Sequence, residues 1–145
     1  MPLISQTAEY ALRASVHLAK QAETNEKLSL TVPEIAAATK VPSGYLSKVL
    51  QQLTRAGLIS SQRGIGGGFK LARTAEAISI LDVVQAVDSL GRIHECPLGN
   101  PDHKLLCPLH RKLDAAIAQA ETAFRETTLA ELTSSGNPLC KIKLS

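Results

Sequence analysis

The chain has 145 residues, of which 44% are hydrophobic but only 3% aromatic, with no Trp. That composition excludes a chain too polar to fold and suits one core, or a small head with an oligomerisation arm, built from Leu, Ile, Val and Ala. The net charge of +3 is unevenly placed, because no acidic residue lies between Glu34 and Glu76, where Lys40, Lys48, Arg55, Arg63, Lys70 and Arg73 leave the rest of the chain at −3. A one-sided basic segment is the footprint of a polyanion-binding face. No apolar run approaches the ~20 residues of a membrane span. The first residues lack the basic-then-apolar pattern of a secretion signal. The expectation is a cytoplasmic protein without membrane attachment, in which three cysteines serve as ligands or redox thiols rather than structural disulfides.

Residues 5–22 read as a helix, with Tyr10, Ala11, Ala14, Leu18 and Ala19 at helical spacing. A polar linker, Glu23 to Ser29, follows. Thr31-Val-Pro-Glu34 has the hydroxyl-then-carboxylate spacing of a capping box, with a proline in the first turn. It opens a short helix to about Thr39, ended by Lys40-Val41-Pro42. A third helix opens near Ser43 and closes at Ala56-Gly57, with Leu46, Val49, Leu50 and Leu53 on one face. Two short helices joined by a tight turn, the second amphipathic, make a helix-turn-helix pattern.

Leu58 to Ser61 and Phe69 to Ala72 predict strands around the glycine turn Arg63 to Gly68, a hairpin wing directly after the helix. The reading head therefore runs roughly from Thr31 to Arg73. A helix follows at 79–89, capped by Ser79 with Asp82 three residues on. Gly91 to about Lys104 is a polar loop carrying Cys96. A long helix opens at Cys107-Pro108, and its residues Leu109, Leu113, Ala116, Ile117, Ala120 and Phe124 form an apolar stripe. Thr128-Leu-Ala-Glu131 caps a last short helix before a tail containing Cys140. The fold class is mainly α with a small β-hairpin wing, a winged helix-turn-helix plus a long C-terminal dimerisation helix. The expected divisions are a DNA-binding domain at 1–90, a cysteine-containing sensor loop at 91–107, dimerisation and terminal helices at 108–134, and a tail at 135–145.

A recognition helix needs small or polar residues where it enters the major groove. Here they are Ser43, Gly44, Tyr45, Ser47 and Lys48, with Gln51 one turn on. Ser47 and Gln51 can hydrogen-bond base edges, and Gln has the bidentate geometry for adenine. Lys48 and Tyr45 suit phosphates, which fix register without reading sequence. Gly66 and Gly67, with Gly68, let the wing backbone approach a duplex closely. Arg63 can enter the minor groove, and Lys70 adds charge on the returning strand. The glycine turn fails as a phosphate loop of nucleotide enzymes, because no Lys-Ser/Thr follows and a strand takes the place of the helix. An enzyme is excluded on similar grounds, since no Ser or Cys sits beside a base with an orienting third group. A zinc module is disfavoured by the ten-residue gap between Cys96 and Cys107.

Tyr10-Ala-Leu-Arg13, Val41-Pro-Ser-Gly-Tyr-Leu-Ser-Lys-Val-Leu50 and Leu58-Ile-Ser-Ser-Gln-Arg-Gly-Ile-Gly-Gly-Gly-Phe69 resemble the Rrf family of winged-helix transcriptional regulators. The likeness continues through Ile80-Leu-Asp-Val-Val-Gln-Ala-Val-Asp88 and Thr128-Leu-Ala-Glu-Leu132. The resemblance implies a homodimer on the long helix, a repressor of a roughly palindromic double-stranded DNA operator, and, in many members, an iron-sulfur cluster before that helix. Cluster-binding members place three cysteines there, about five residues apart. This chain has Cys96 and Cys107 with Pro101 or Asp102 between them, which excludes a three-cysteine set. Cys107 opens a helix, where a thiolate is favoured, with His110 three residues on and His103 in the same loop. Mixed Cys and His ligation of a 2Fe-2S cluster is chemically sound. The resemblance adds an acidic ligand from the partner's first helix, which falls at Glu9, while the histidine of one variant falls at Arg13. The candidate metal set is thus Cys96, Cys107, Glu9, His103 and His110. Against it stand a cluster-free regulator acting through a Cys96/Cys107 thiol switch or a partner protein, an ion pair of Glu9 with Arg13, and a surface or capping role for His110.

Overall fold

A computed structural model describes residues 3–24, 27–95, 99 and 107–134. Cys96, His103, Cys140 and the tail lie outside these residues. The first helix, α1 (Gln6–Thr24), is followed by α2 (Val32–Thr39) and α3 (Ser43–Arg55). Strands β1 (Ile59–Gln62) and β2 (Gly68–Leu71) come next, then a 3-10 turn at Ala75–Ala77. The chain continues through α4 (Ile80–Val87), α5 (Pro108–Glu126) and α6 (Leu129–Ser134). The expected order of elements and the fold class both hold.

The local signals act as read. Thr31 and Glu34 form the reciprocal capping box, and Ser79 and Asp82 form a second one at α4. Each satisfies two amides that a helix start leaves without partners. The turn after α2 is made by Lys40 in the left-handed region (φ 55), its amide donating to the Ala36 carbonyl at 2.9 Å. Gly57 (φ 76) closes α3 in the left-handed conformation expected of it.

Two boundaries differ from expectation. Helix α1 runs on to Thr24, so Glu23 is helical rather than linker. There it pairs with Lys20 at 3.5 Å and accepts a hydrogen bond from the Thr133 hydroxyl, tying α6 to the end of α1. The hairpin ladder runs Ile59 to Gln62 against Gly68 to Leu71, with Ile59 opposite Leu71 and Gln62 opposite Gly68. It is shifted by one residue because Leu58 and Ala72 close its base through one hydrogen bond, Ala72 N–H to Leu58 O at 3.0 Å.

A feature absent from the sequence reading extends the sheet. Leu30 and Phe69 exchange both backbone hydrogen bonds, at 2.9 and 2.7 Å, so the segment before α2 lies along the second strand.

The core gathers on α1. Its Ala8, Ala11, Ala14 and Ala19 are fully buried, and their small side chains let neighbouring helices come close. Ile35, Leu46, Leu50 and Leu53 from the head pack there with Ile78, Val83 and Leu129. Each large aliphatic side chain so buried contributes about 1.5–3 kcal/mol. Helix α5 has no buried residue, and Leu109 and Leu113 are 62% and 47% exposed. Among the described residues, no helix is long and apolar enough to cross a membrane.

Candidate nucleic-acid interface

The amphipathic pattern of α3 divides its residues cleanly. Leu46, Val49, Leu50 and Leu53 are buried. Ser43, Gly44, Tyr45, Ser47, Lys48 and Gln51 are all exposed along the opposite face. The helix begins at Pro42, which supplies no side-chain cap, and its first turn holds no acid. Its leading amides therefore face outward at the positive end of the helix dipole.

The charges of the head are distinct in kind as well as in sign. Lys40, Lys48, Arg55, Arg63, Lys70 and Arg73 are all exposed. Among the described residues none of the six forms an ion pair, whereas Arg13, Lys20, Lys27, Arg92 and Arg125 each meet a carboxylate. Cations left with water alone are free to replace it with phosphate oxygens.

Two of the wing glycines are required by the hairpin's own packing. A Cβ at Gly67 would collide with the Gln62 carbonyl, and one at Gly68 with the Leu30 carbonyl. The hairpin's own backbone fills the space that a side chain would take at these positions. Gly66 (φ 75) stands in open space at the turn, and Arg63 is exposed beside it.

Tyr45 is 55% exposed and meets Tyr10 edge-on, with ring centroids 6.0 Å apart. The Arg13 guanidinium lies 5.6 Å from the Tyr10 ring centre and donates to the Thr39 carbonyl at 3.3 Å. Neither the helical spacing of Tyr10 nor the pairing of Arg13 with Glu9 points to this contact. The structure makes them the support of the recognition helix's first turn. No spacing signal could have shown this, because residues 10 and 45 meet only through the packing of α1 on α3.

At the opposite end of the chain, the Cys107 Sγ and His110 Nδ1 atoms lie 3.2 Å apart in the first turn of α5. Glu9 accepts a hydrogen bond from Arg13 Nε at 2.9 Å, the ion pair that the four-residue spacing allows. Arg92 grips Asp114 through two bonds of 2.8 Å, and Asp114 also accepts the Ile93 amide. The Arg92 guanidinium first, then that amide, hold the Asp114 carboxyl well below the usual carboxylate range. This clamp fixes the start of the loop 91–107 to α5. Neither Arg92 nor Asp114 was singled out from the sequence. Among the described residues no group of three or more His, Cys, Asp or Glu side chains could hold a metal, and Cys96 and His103 fall outside them.

A two-helix reading head, a hairpin wing behind it and an unpaired cationic surface define a winged helix-turn-helix DNA-binding protein. The profile of the Rrf2 family, described as an iron-dependent transcriptional regulator, matches residues 4–135. The chain belongs to the Rrf2 family; it is a DNA-binding regulator of transcription rather than an enzyme. Protein aau3 of Rhizobium meliloti is 41% identical over 129 residues, covering 87% of this chain and 78% of that protein. Among solved structures, IscR of T. potens superposes with a TM-score of 0.75 at 20% identity, covering 92% of this chain and 88% of that one. CymR, described as the global cysteine regulator of B. subtilis, gives 0.73 at 23% identity over 92% and 98%. These two likenesses are of fold.

Proposed function

We propose that the chain is a homodimeric repressor that reads a roughly palindromic operator through α3 and the wing. The observation that carries this reading is the set of six exposed, unpaired cations on the head. Ser47 and Gln51 face base edges in the major groove. Ser43, Tyr45, Lys48 and Lys70 bind phosphates. Arg63 enters the minor groove from the wing, whose turn is shaped by Gly66 and Gly67. Helix α5, with Leu109 and Leu113 bare, is where a second copy packs, giving the two-fold symmetry that a palindrome mirrors. Residues 1–90 then act as the DNA-binding domain, 108–134 as the dimerisation unit and 91–107 as the sensor between them. Such a regulator works in the cytoplasm.

Binding to duplexes selected from a randomised pool should weaken steeply with salt, log K falling about 0.9 per phosphate neutralised. Lys48→Ala and Arg63→Ala should each flatten that slope by about one contact, with the dimer intact by light scattering. A flat salt response, or unchanged footprints in both variants, places the operator on another face.

The sensor is an iron-sulfur cluster of the 2Fe-2S type. Cys107 and His110 support it, since two donors 3.2 Å apart at one helix end suit neighbouring coordination positions. Cys96, His103 and Glu9 of the partner subunit are the candidates for the rest. Glu9 would have to leave Arg13 to serve. When bound, the cluster supplies a charge and a covalent tie that change with its oxidation state or loss. The family's description as iron-dependent favours this reading. The second reading, a cluster-free Cys96/Cys107 thiol switch, is favoured by the likeness to the global cysteine regulator. Anaerobic reconstitution decides between them. Visible absorption with about two irons and two sulfides per chain is the expected result. Colourless protein in which air oxidises Cys96 and Cys107 to a disulfide establishes the thiol switch.

A further inference from the structure

The wing tip carries a residue with no place in the head's polar logic. Ile65 is 111% exposed, the highest value among the exposed large hydrophobic residues described. Its position is fixed by the backbone. The Gly67 amide donates to the Gly64 carbonyl at 2.9 Å, closing a four-residue turn. Gly66, third in that turn, has φ 75, the pattern of a type II turn with Ile65 at its second position. The turn is braced from below, because neither Gly67 nor Gly68 has room for a Cβ. Arg63 directly precedes the turn and Lys70 lies on the returning strand opposite Ser60, both exposed and without ion pairs among the described residues.

An isoleucine held bare at the end of a braced cationic arm gains by excluding water only against a particular kind of surface. That surface must be anionic at its rim and apolar within. The minor groove of duplex DNA is of this kind, with phosphates along both edges and deoxyribose carbons for walls. Its floor differs between base pairs in one group. G·C pairs present the guanine 2-amino donor, and A·T pairs do not. Pressed against an isoleucine, that amino group would lose its water and find no acceptor, which costs free energy.

We propose that Ile65 is a specificity-determining residue that enters the minor groove beside the recognition helix's site and selects A·T over G·C pairs there. The inference rests on the reading of the head as an operator-binding surface. Lys70 anchors the arm to the phosphates, and Arg63 enters the groove with Ile65, drawn by its negative potential. Ile65 supplies the discrimination by contact, and apolar side chains in this groove also ease local unstacking.

The test uses the full-length dimer and a duplex that it recovers from a randomised pool. Hydroxyl-radical protection marks the minor-groove pairs beneath the wing. Those pairs are then set to A·T, G·C or inosine·C, the last having the major-groove face of G·C without the 2-amino group. The wild-type chain should bind the A·T and inosine·C duplexes alike and the G·C duplex about tenfold more weakly. Ile65→Ala should bind all three alike. Ile65→Lys should bind all three more tightly and still not discriminate, which separates added charge from apolar contact. Ile65 is fully exposed, so matched melting curves should confirm intact folding. Discrimination that persists in Ile65→Ala, or a wild-type chain indifferent to the pair, overturns the proposal and leaves the operator reading standing. A wild-type chain that recovers no duplex overturns both.

Discussion

At the scale of single residues, the glycines separate into those the fold requires and those it tolerates. Gly68 has φ 144 and faces the Leu30 carbonyl where a Cβ would go. Gly68→Ala should therefore cost about 2 kcal/mol or more, since the collision is with backbone that cannot swing aside. Gly44 has nothing within reach of an added Cβ and no left-handed backbone. Gly44→Ala should leave stability unchanged or raise it by about 0.5–1 kcal/mol through the unfolded chain. Urea midpoints of the two variants check the pair, and a Gly68→Ala variant as stable as wild type would show that the strand pairing with Leu30 is dispensable.

At the scale of elements, what could be read from the sequence depended on how local each signal was. Both capping boxes, the α3 stripe and the wing turn are written in residues a few positions apart, and all were legible. The pairing of Leu30 with Phe69 was not, because a one-residue strand has no periodicity and its partner lies 39 positions away. The same limit hid the role of Gly68, whose constraint comes from Leu30 rather than from the turn it belongs to. The candidate interface was legible on α3, where exposure follows helical spacing. Its support by Tyr10 and Arg13 was not, since that contact exists only after α1 has packed on the head. The clamp of Arg92 on Asp114, 22 positions apart, was invisible for the same reason.

For the whole molecule, the displaced carboxyls and the displaced histidine all move downward, while Asp114 raises the Arg92 guanidinium, which stays charged throughout the acid range. The Lys27 ammonium and the Thr31 amide pull the Glu34 carboxyl down to about 2. The Ser5 hydroxyl and the Ser89 amide lower Asp88, and Arg92 lowers Asp114. Burial lowers His17, favouring its neutral form. For each of these carboxyls and for His17 the unfolded chain binds protons more readily than the folded one, so their contribution to stability rises with pH across the acid range. The carboxylate contribution is complete above about pH 4.5 and is lost as pH falls towards 2. The His17 contribution fades earlier, from about pH 6.5 downwards. Melting temperature should therefore fall in two stages on acidification, with His17→Gln removing the upper one. A melting temperature that rises on going from pH 7 to pH 5 would contradict this assignment.

The sorting of charge between head and body has a kinetic consequence. With +6 in the acid-free stretch and −3 in the rest, the chain has a pronounced electric dipole. The field of a DNA duplex exerts a torque on such a dipole before contact is made, turning the head forward and the acidic body away. A larger share of diffusional encounters then begins in a productive orientation. Steered association of this sort reaches about 10⁸–10⁹ M⁻¹s⁻¹ at low ionic strength, against roughly 10⁵–10⁶ M⁻¹s⁻¹ without steering. The carboxylates paired with Arg13, Lys20, Lys27, Arg92 and Arg125 offset those cations, so they compete less with the head for DNA.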